Sequence, residues 1–201
     1  MPQRLNPQTL LQLRIELRYT DPMIWRRVLV PDTITLVKLH AVIQESMGWS
    51  NSHLHEFEIA GLRYGMTDSE WDVDPELINE ERKKLLKVLG DQKQFDYLYD
   101  FGDSWLHRIT LEKRLPVIEQ ITLDNIIPAI EPQRYAMCVD GENACPPEDV
   151  GGVPGYYNFL DVVSNPDHEE YEEMIEWCGG LFNPELFDID VTNTTLKRIR
   201  L

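Results

Sequence analysis

Two segments of this 201-residue chain crowd together groups that can do chemistry: Tyr97-Leu-Tyr-Asp-Phe-Gly-Asp-Ser-Trp-Leu-His107 and Cys138-Val-Asp-Gly-Glu-Asn-Ala-Cys-Pro-Pro-Glu-Asp-Val-Gly-Gly152. Carboxylate, imidazole and thiolate are the ligands of Zn²⁺ and the usual groups of acid–base catalysis. Asp100, Asp103, Trp105, Glu148 and Asp149 are therefore the candidate working surface. The prolines and glycines around Glu148 and Asp149 read as a rigid turn, which can cap amides or hold a carboxylate in place as a ligand or general base.

The histidines and cysteines supply candidate metal ligands. His53 and His55 stand two apart, as a strand would need to point both rings one way, and His107 lies in the first segment. With a carboxylate or water they could bind Zn²⁺. The plainer reading is three core-edge histidines satisfied by Tyr hydroxyls and main chain, and it is preferred because no His-Glu-x-x-His or Cys-x-x-Cys pattern is present. Cys138 and Cys145, together with a His or with Cys178, are a looser candidate zinc set, and nothing beside Cys145 suggests an activated Cys–His nucleophile. Asp100-Phe-Gly102 matches the metal-binding tripeptide of protein kinases, but the Gly-rich phosphate loop and His-Arg-Asp loop are missing.

The elements that would position these groups are legible from periodicity. Residues 11–19 alternate apolar and polar, predicting a strand with Leu11, Leu13, Ile15, Leu17 and Tyr19 inward. A second strand follows over 24–30. A helix is expected from Thr35, with Leu36, Leu39, Ile43 and Met47 on one face and Gly48 as its stop. Residues 53–60 read as a third strand, 61–80 as an irregular excursion, and 80–89 as a short helix ending at Gly90. Residues 95–99 and 105–111 form the clearest hairpin. A five-residue tip pairs Tyr99 with Trp105, Tyr97 with His107 and Phe95 with Ile109, whereas a four-residue tip points the aromatic faces apart. Gly102 is the expected positive-φ residue of that tip. Residues 115–132 are mixed and Pro-punctuated, and 135–139 read as a strand. Tyr156, Phe159, Leu160 and Val163 mark a helix; Asn165-Pro166 and Asn183-Pro184 read as helix starts, and a last helix is expected over 190–200. The expected fold is α+β: a mostly antiparallel sheet, a helix after the second strand and a helix-rich acidic C-terminal third, in a single domain (1–201, core about 10–193).

Bulk composition narrows the function classes. No apolar run approaches the length of a membrane span, and Met1-Pro-Gln-Arg-Leu lacks the apolar core of a signal peptide. Three cysteines do not make a disulfide framework, so a reducing cytoplasm is the expected compartment. Of a net charge of −16, the 62 residues between Arg134 and Lys197 carry −14, with 14 acids and no Lys or Arg. Such a chain repels a duplex at long range, although Arg14, Arg18, Arg26 and Arg27 could make a local basic patch. The plain reading of the acidic half is a solvated surface; capture of a basic partner, as in DNA mimicry, is the sharper one.

Taken in order, Ile24-Trp-Arg-Arg-Val28, Gly48-Trp49 with His53-Leu-His-Glu-Phe57, Tyr99-Asp-Phe-Gly-Asp-Ser-Trp105 with His107, and Ala144-Cys-Pro-Pro-Glu-Asp-Val-Gly-Gly-Val-Pro-Gly-Tyr156 resemble the plasmid pRiA4b ORF-3-like family, also described as the resolvase-like passenger protein of an insertion element. The resemblance runs from about Leu10 to Asn193. It implies an α+β single-domain fold and a link to plasmids and mobile elements, and it brings no reaction and no catalytic residue with it. No serine-recombinase segment supports the resolvase-like label. The expectation is an accessory or protein-interaction module without catalysis, working through the 100–104 and 145–152 loops. The rivals are a metal-dependent hydrolase using His53, His55, His107 and a loop acid, and an acidic DNA mimic.

Overall fold

The computed structural model describes residues 9–67, 74–116 and 136–201. Alternation writes the first strand: in β1 (Thr9–Leu17) Leu11, Leu13, Ile15 and Leu17 are buried, while Gln12, Arg14 and Glu16 lie on the other face. The elements that follow are β2 (Trp25–Pro31), α1 (Leu36–Met47), β3 (His55–Ile59), β4 (Leu62–Gly65), β5 (Leu77–Asn79), α2 (Leu85–Leu89), β6 (Gln94–Tyr99), β7 (Trp105–Pro116), β8 (Met137–Glu142), α3 (Gly152–Val163), α4 (Tyr171–Trp177) and α5 (Ile189–Leu196). All eight strands join one sheet in the order β5-β4-β3-β6-β7-β1-β2-β8. Only the short β4–β5 pair is parallel, so the fold is α+β with a mostly antiparallel sheet.

The β6–β7 hairpin has the five-residue tip, with Tyr99 opposite Trp105, Tyr97 opposite His107 and Phe95 opposite Ile109. All six side chains are buried. The tip reaches its conformation by a different route from the expected one. Gly102 does not carry a positive φ; Asp100 (φ 56°) and Ser104 (φ 58°) do. Asp100 can hold that conformation because its Oδ1 accepts the amides of Gly102 (2.9 Å) and Asp103 (3.3 Å), and the Ser104 amide closes on the Asp100 carbonyl at 2.6 Å.

The inward faces of β1, β2, β3, β6 and β7 meet Leu36, Leu39, Val42, Ile43 and Met47 of α1, and Tyr156 and Phe159 of α3, in one apolar cluster. Thr35 caps α1 by accepting the Lys38 amide, and Gly48 (φ 93°) closes it in the left-handed region. Arg26 sits inside this layer, only 3 % exposed. Its guanidinium donates to the carbonyls of Ser46 (2.9 Å), Trp25 (2.8 Å) and Glu142 (2.8 Å) and lies 4.0 Å over the Phe187 ring. One side chain thereby joins the end of α1 to β2, β8 and the segment before α5. Burial lowers its pKa, but no Asp or Glu carboxylate is needed to neutralise it where three carbonyl dipoles converge.

Several local expectations are corrected. Tyr19 is 70 % exposed at φ 67°, beyond the end of β1, so it does not face the core. β3 starts at His55; His53 precedes it, and the two rings share no strand face. Residues 61–80 contain β4 and β5 rather than irregular chain alone. Asn165 and Asn183 do not start helices. Each accepts the amide two residues on, from Asp167 (3.2 Å) and Glu185 (3.0 Å), making a local turn, and α4 and α5 begin later. β8 covers part of the strand expected over 135–139, and Tyr135, like most of the 115–132 stretch, lies outside the described residues. Of the arginines of the expected basic patch, Arg26 is buried, Arg27 pairs with Glu112 and Asp140, and Arg14 pairs with Glu16 while covering Trp25, whereas Arg18 lies over the exposed Tyr19 ring.

Replacing Arg26 with leucine removes the donor from three buried or half-buried carbonyls. Arg26→Leu is expected to cost about 3 kcal/mol, read as a lowered urea midpoint with the m-value unchanged.

Candidate functional site at a junction of three loops

The two segments that stand out in the sequence meet in space, and a third, residues 49–53, completes the junction. Tyr99, the last residue of β6, is its centre. Its hydroxyl donates to Glu148 Oε1 (2.6 Å) and accepts the Ser52 amide (3.0 Å). Glu148 also accepts the Ser50 amide (3.2 Å) and is bonded by the Ser50 hydroxyl. Trp49 packs its ring 5.0 Å from that of Tyr99 and donates its indole N–H to the Pro146 carbonyl (3.1 Å). On the other side the Gly151 amide donates to Asp103 Oδ2 (3.1 Å). Gly152 has φ +68°, and a Cβ there would lie 2.5 Å from the Asp103 carbonyl oxygen, so only glycine lets the Pro-Pro-Glu-Asp-Val-Gly-Gly loop close on the hairpin tip.

Electrostatics follow from these contacts. Burial pushes the Glu148 carboxyl up, but the bonds from Ser50 and Tyr99 and the nearby His53 outweigh it, and the net displacement is downward. The Tyr99 hydroxyl is held well above the ordinary phenol range by burial and by its carboxylate partner. Glu148 is therefore an ionised, fully bonded anchor, while Asp149 beside it projects into solvent with its side chain 71 % exposed.

His53 faces this junction. Its Nε2 lies 3.1 Å from Asp149 Oδ1 and 3.6 Å from Asp100 Oδ2. The three ligand atoms lie within 4.8 Å of one another, the one such set of three among the described residues. His55 and His107 go elsewhere. His55 Nε2–H is shared between both oxygens of buried Glu80 (3.0 and 3.1 Å), and its ring stacks on His40 at 3.5 Å and 5°. Burial and the charge of His55 push His40 down to about 4. The neutral His40 donates from Nε2 to Asn51 Oδ1 (2.6 Å) and accepts the Tyr97 hydroxyl at Nδ1 (2.8 Å). Gln44 closes the ring by donating to Tyr97 (3.0 Å) and accepting the Asn51 amide (3.1 Å). His107 is fully buried beneath Trp49, with Nδ1 at 3.3 Å from the Tyr97 carbonyl, and burial brings it to about 4.

The cysteines do not join the junction's carboxylates. Cys138 bonds to the Asp140 carbonyl and is raised by burial, and Cys145 is pushed up to about 12. Both sense the Arg26 charge. They stay thiols beside a guanidinium, a poor setting for a cation. Of the candidate surface, Asp100, Asp103, Glu148 and Asp149 do converge. Trp105 does not belong to it, because at 1 % exposure it is a core ring under Trp49. Sequence reasoning missed Ser50, Tyr99 as the central hydroxyl, and the pair His40 and Glu80. The Ser50-Asn-Ser52 run after Gly48-Trp49 was the available signal for the first; for His40 and Glu80, far apart in sequence, there was none.

The chain belongs to the plasmid pRiA4b ORF-3-like protein family, which it matches over residues 9–191. It is 39 % identical over 174 residues to the uncharacterized protein y4hQ of Sinorhizobium fredii, covering 86 % of this chain and 82 % of that one. Its fold matches the crystal structure of a protein of unknown function, MM3350, from Methanosarcina mazei Go1, with a TM-score of 0.75 and 36 % identity over 90 % of this chain and 96 % of that one. Neither relative's description assigns an activity. Among the described residues no helix is long and apolar enough to cross a membrane.

Two outcomes follow from this geometry. Gly152→Ala forces a side chain into the left-handed region and against Asp103, and is expected to cost about 3 kcal/mol in a denaturation titration. His107 has a folded pKa near 4 against an ordinary 6.5, so the unfolded chain takes up its proton first as pH falls. Its contribution to stability is complete above pH 6.5 and is lost by about pH 4, roughly 3 kcal/mol in all. His107→Phe is expected to flatten the stability–pH curve in that window by this amount.

Proposed function

We propose that the protein is a non-catalytic accessory module of its family that binds a basic protein segment at the three-loop junction. The observation that carries this reading is a surface held rigid from behind and left open in front. Tyr99, Glu148 and Asp103 lock the loops together, while Phe101 (50 % exposed) and Leu54 (53 % exposed) stand beside the acids. Leu54 adjoins the tip directly, since its carbonyl accepts the Asp100 amide at 2.9 Å. An exposed aromatic on a preorganised support, on a tip that also carries Asp100 and Asp103, suits an aliphatic-stemmed cation such as Lys or Arg in a partner chain. The run of 14 acids without a Lys or Arg between Arg134 and Lys197 adds a long-range field of the same sign. The committed arginines of β1 and β2 leave no matching basic footprint there for phosphate.

Fluorescence anisotropy with labelled Lys/Arg-rich and Asp/Glu-rich peptides tests the reading. Basic peptides are expected to bind with an affinity that falls as salt rises, and Phe101→Ala to weaken that binding about tenfold or more with the circular dichroism unchanged. Failure of every basic peptide to bind, or a Phe101→Ala protein that binds as well as the parent, would refute it.

A further inference from the structure

We infer that His53, Asp100 and Asp149 form a binding site for a single divalent transition-metal ion of the Zn²⁺ type, in which the ion ties together the three loops of the junction. Two of the three ligand–ligand distances are close to the right size, and the third lies within 4.8 Å. Nitrogen and oxygen ligands at roughly 2.0–2.2 Å from a tetrahedral ion stand roughly 3.3–3.6 Å from each other. His53 Nε2 is 3.1 Å from Asp149 Oδ1 and 3.6 Å from Asp100 Oδ2.

The orientation of the imidazole separates this reading from a simple His–Asp ion pair. Although two carboxylate oxygens lie within 4 Å, His53 Nε2 makes no hydrogen bond, and the nitrogen itself is buried. An imidazolium paired with Asp149 would aim its N–H along the 3.1 Å vector. A nitrogen that aims at neither oxygen is free to act as a co-ligand, with its lone pair available to an ion shared with those two nearby oxygens. The burial without a partner, costly for a polar atom, is relieved when that ion is bound.

Two of the three ligands, Asp100 and His53, are also oriented by a second contact, as metal ligands are, and the third is carried by an anchored loop. Asp100 has its Oδ1 held by two tip amides, which leaves Oδ2 turned to His53. His53 sets its ring edge-on to Tyr99, 5.8 Å between centroids at 73°. Asp149 follows Glu148, which Ser50 and Tyr99 anchor. The donors come from three separate segments: the turn before β3, the first residue of the hairpin tip, and the Pro-Pro-Glu-Asp-Val-Gly-Gly loop. Two carboxylates this close repel each other, and the surrounding acids add to the strain; a dication neutralises both. One imidazole with two carboxylates favours Zn²⁺, Co²⁺, Mn²⁺ or Fe²⁺ over Ca²⁺ and Mg²⁺, which prefer oxygen alone.

Co²⁺ serves as the probe, titrated into chelator-treated full-length protein and followed by visible absorption and calorimetry. The expected result is one equivalent bound, with the spectrum of nitrogen and oxygen ligation and displacement by Zn²⁺. His53→Gln and, independently, Asp149→Asn should each weaken Co²⁺ at least tenfold; Asp149 is exposed, so its variant folds as the parent does. His168→Gln, outside the set, should bind as the parent, as should Phe101→Ala, so that ion binding and peptide binding fail separately. No saturable binding at millimolar Co²⁺, a thiolate charge-transfer band, or unchanged affinity in Asp149→Asn overturns the assignment.

Discussion

The register of the β6–β7 hairpin is the constraint on which the rest depends. Because side chains alternate with period two, the pairing of Tyr99 with Trp105 decides at once which face carries Phe95, Tyr97, Tyr99, Trp105, His107 and Ile109. A slip of one residue would put this whole set into solvent. The same pairing places Tyr99 at the last position of β6 with its hydroxyl at the sheet's end, and Asp100 at the first position of the tip. The junction with Glu148, Ser50 and Ser52 is therefore built outward from the sheet, and the rigidity of the loops is borrowed from it.

Buried polar groups set the specificity of the packing. His40, Gln44, Asn51 and Tyr97 form a closed ring in which each donor meets an acceptor, and His55 with Glu80 continues it on the other face of the His40 imidazole. Such a network tolerates few alternative arrangements, because any displaced member leaves an unpaired group in a low-dielectric interior. Arg26 plays the same part at the other end of the sheet, where three carbonyls from α1, β2 and β8 converge on one guanidinium. Between them these two clusters fix α1 against the sheet, and with it the Gly48–Ser52 turn that feeds the junction.

The family motifs take on distinct roles in this frame. The Trp-Arg-Arg segment is structural: Trp25 is covered by Arg14, Arg26 is a buried tie, and Arg27 pairs with Glu112 and Asp140. The Asp-Phe-Gly-Asp-Ser-Trp and Pro-Pro-Glu-Asp-Val-Gly-Gly segments are two halves of one surface, clasped by Asp103 and Gly151–Gly152. Of the loop acids Glu148 is spent on structure while Asp149 is left facing outward and toward His53, and within Asp100 Oδ1 caps the tip while Oδ2 is turned to His53.

Much of the local order is legible along the chain. The alternation in β1 and the aromatic pattern of the hairpin follow from burial on a pleated surface, which depends only on neighbours two apart, and so the tip length could be reasoned without a structure. Gly102 was the wrong residue for the left-handed φ because a carboxylate that caps its own tip stabilises Asp100 there equally well. Asn165 and Asn183 show the same ambiguity, since an Asn side chain caps a turn as readily as a helix. The convergence of His53, Asp100 and Asp149, and the separation of His53 from His55, were settled by tertiary structure alone. Residues 53, 100 and 149 carry no shared spacing; what brings them within 4.8 Å is the order of strands in the sheet and a glycine pair that lets one backbone rest on another.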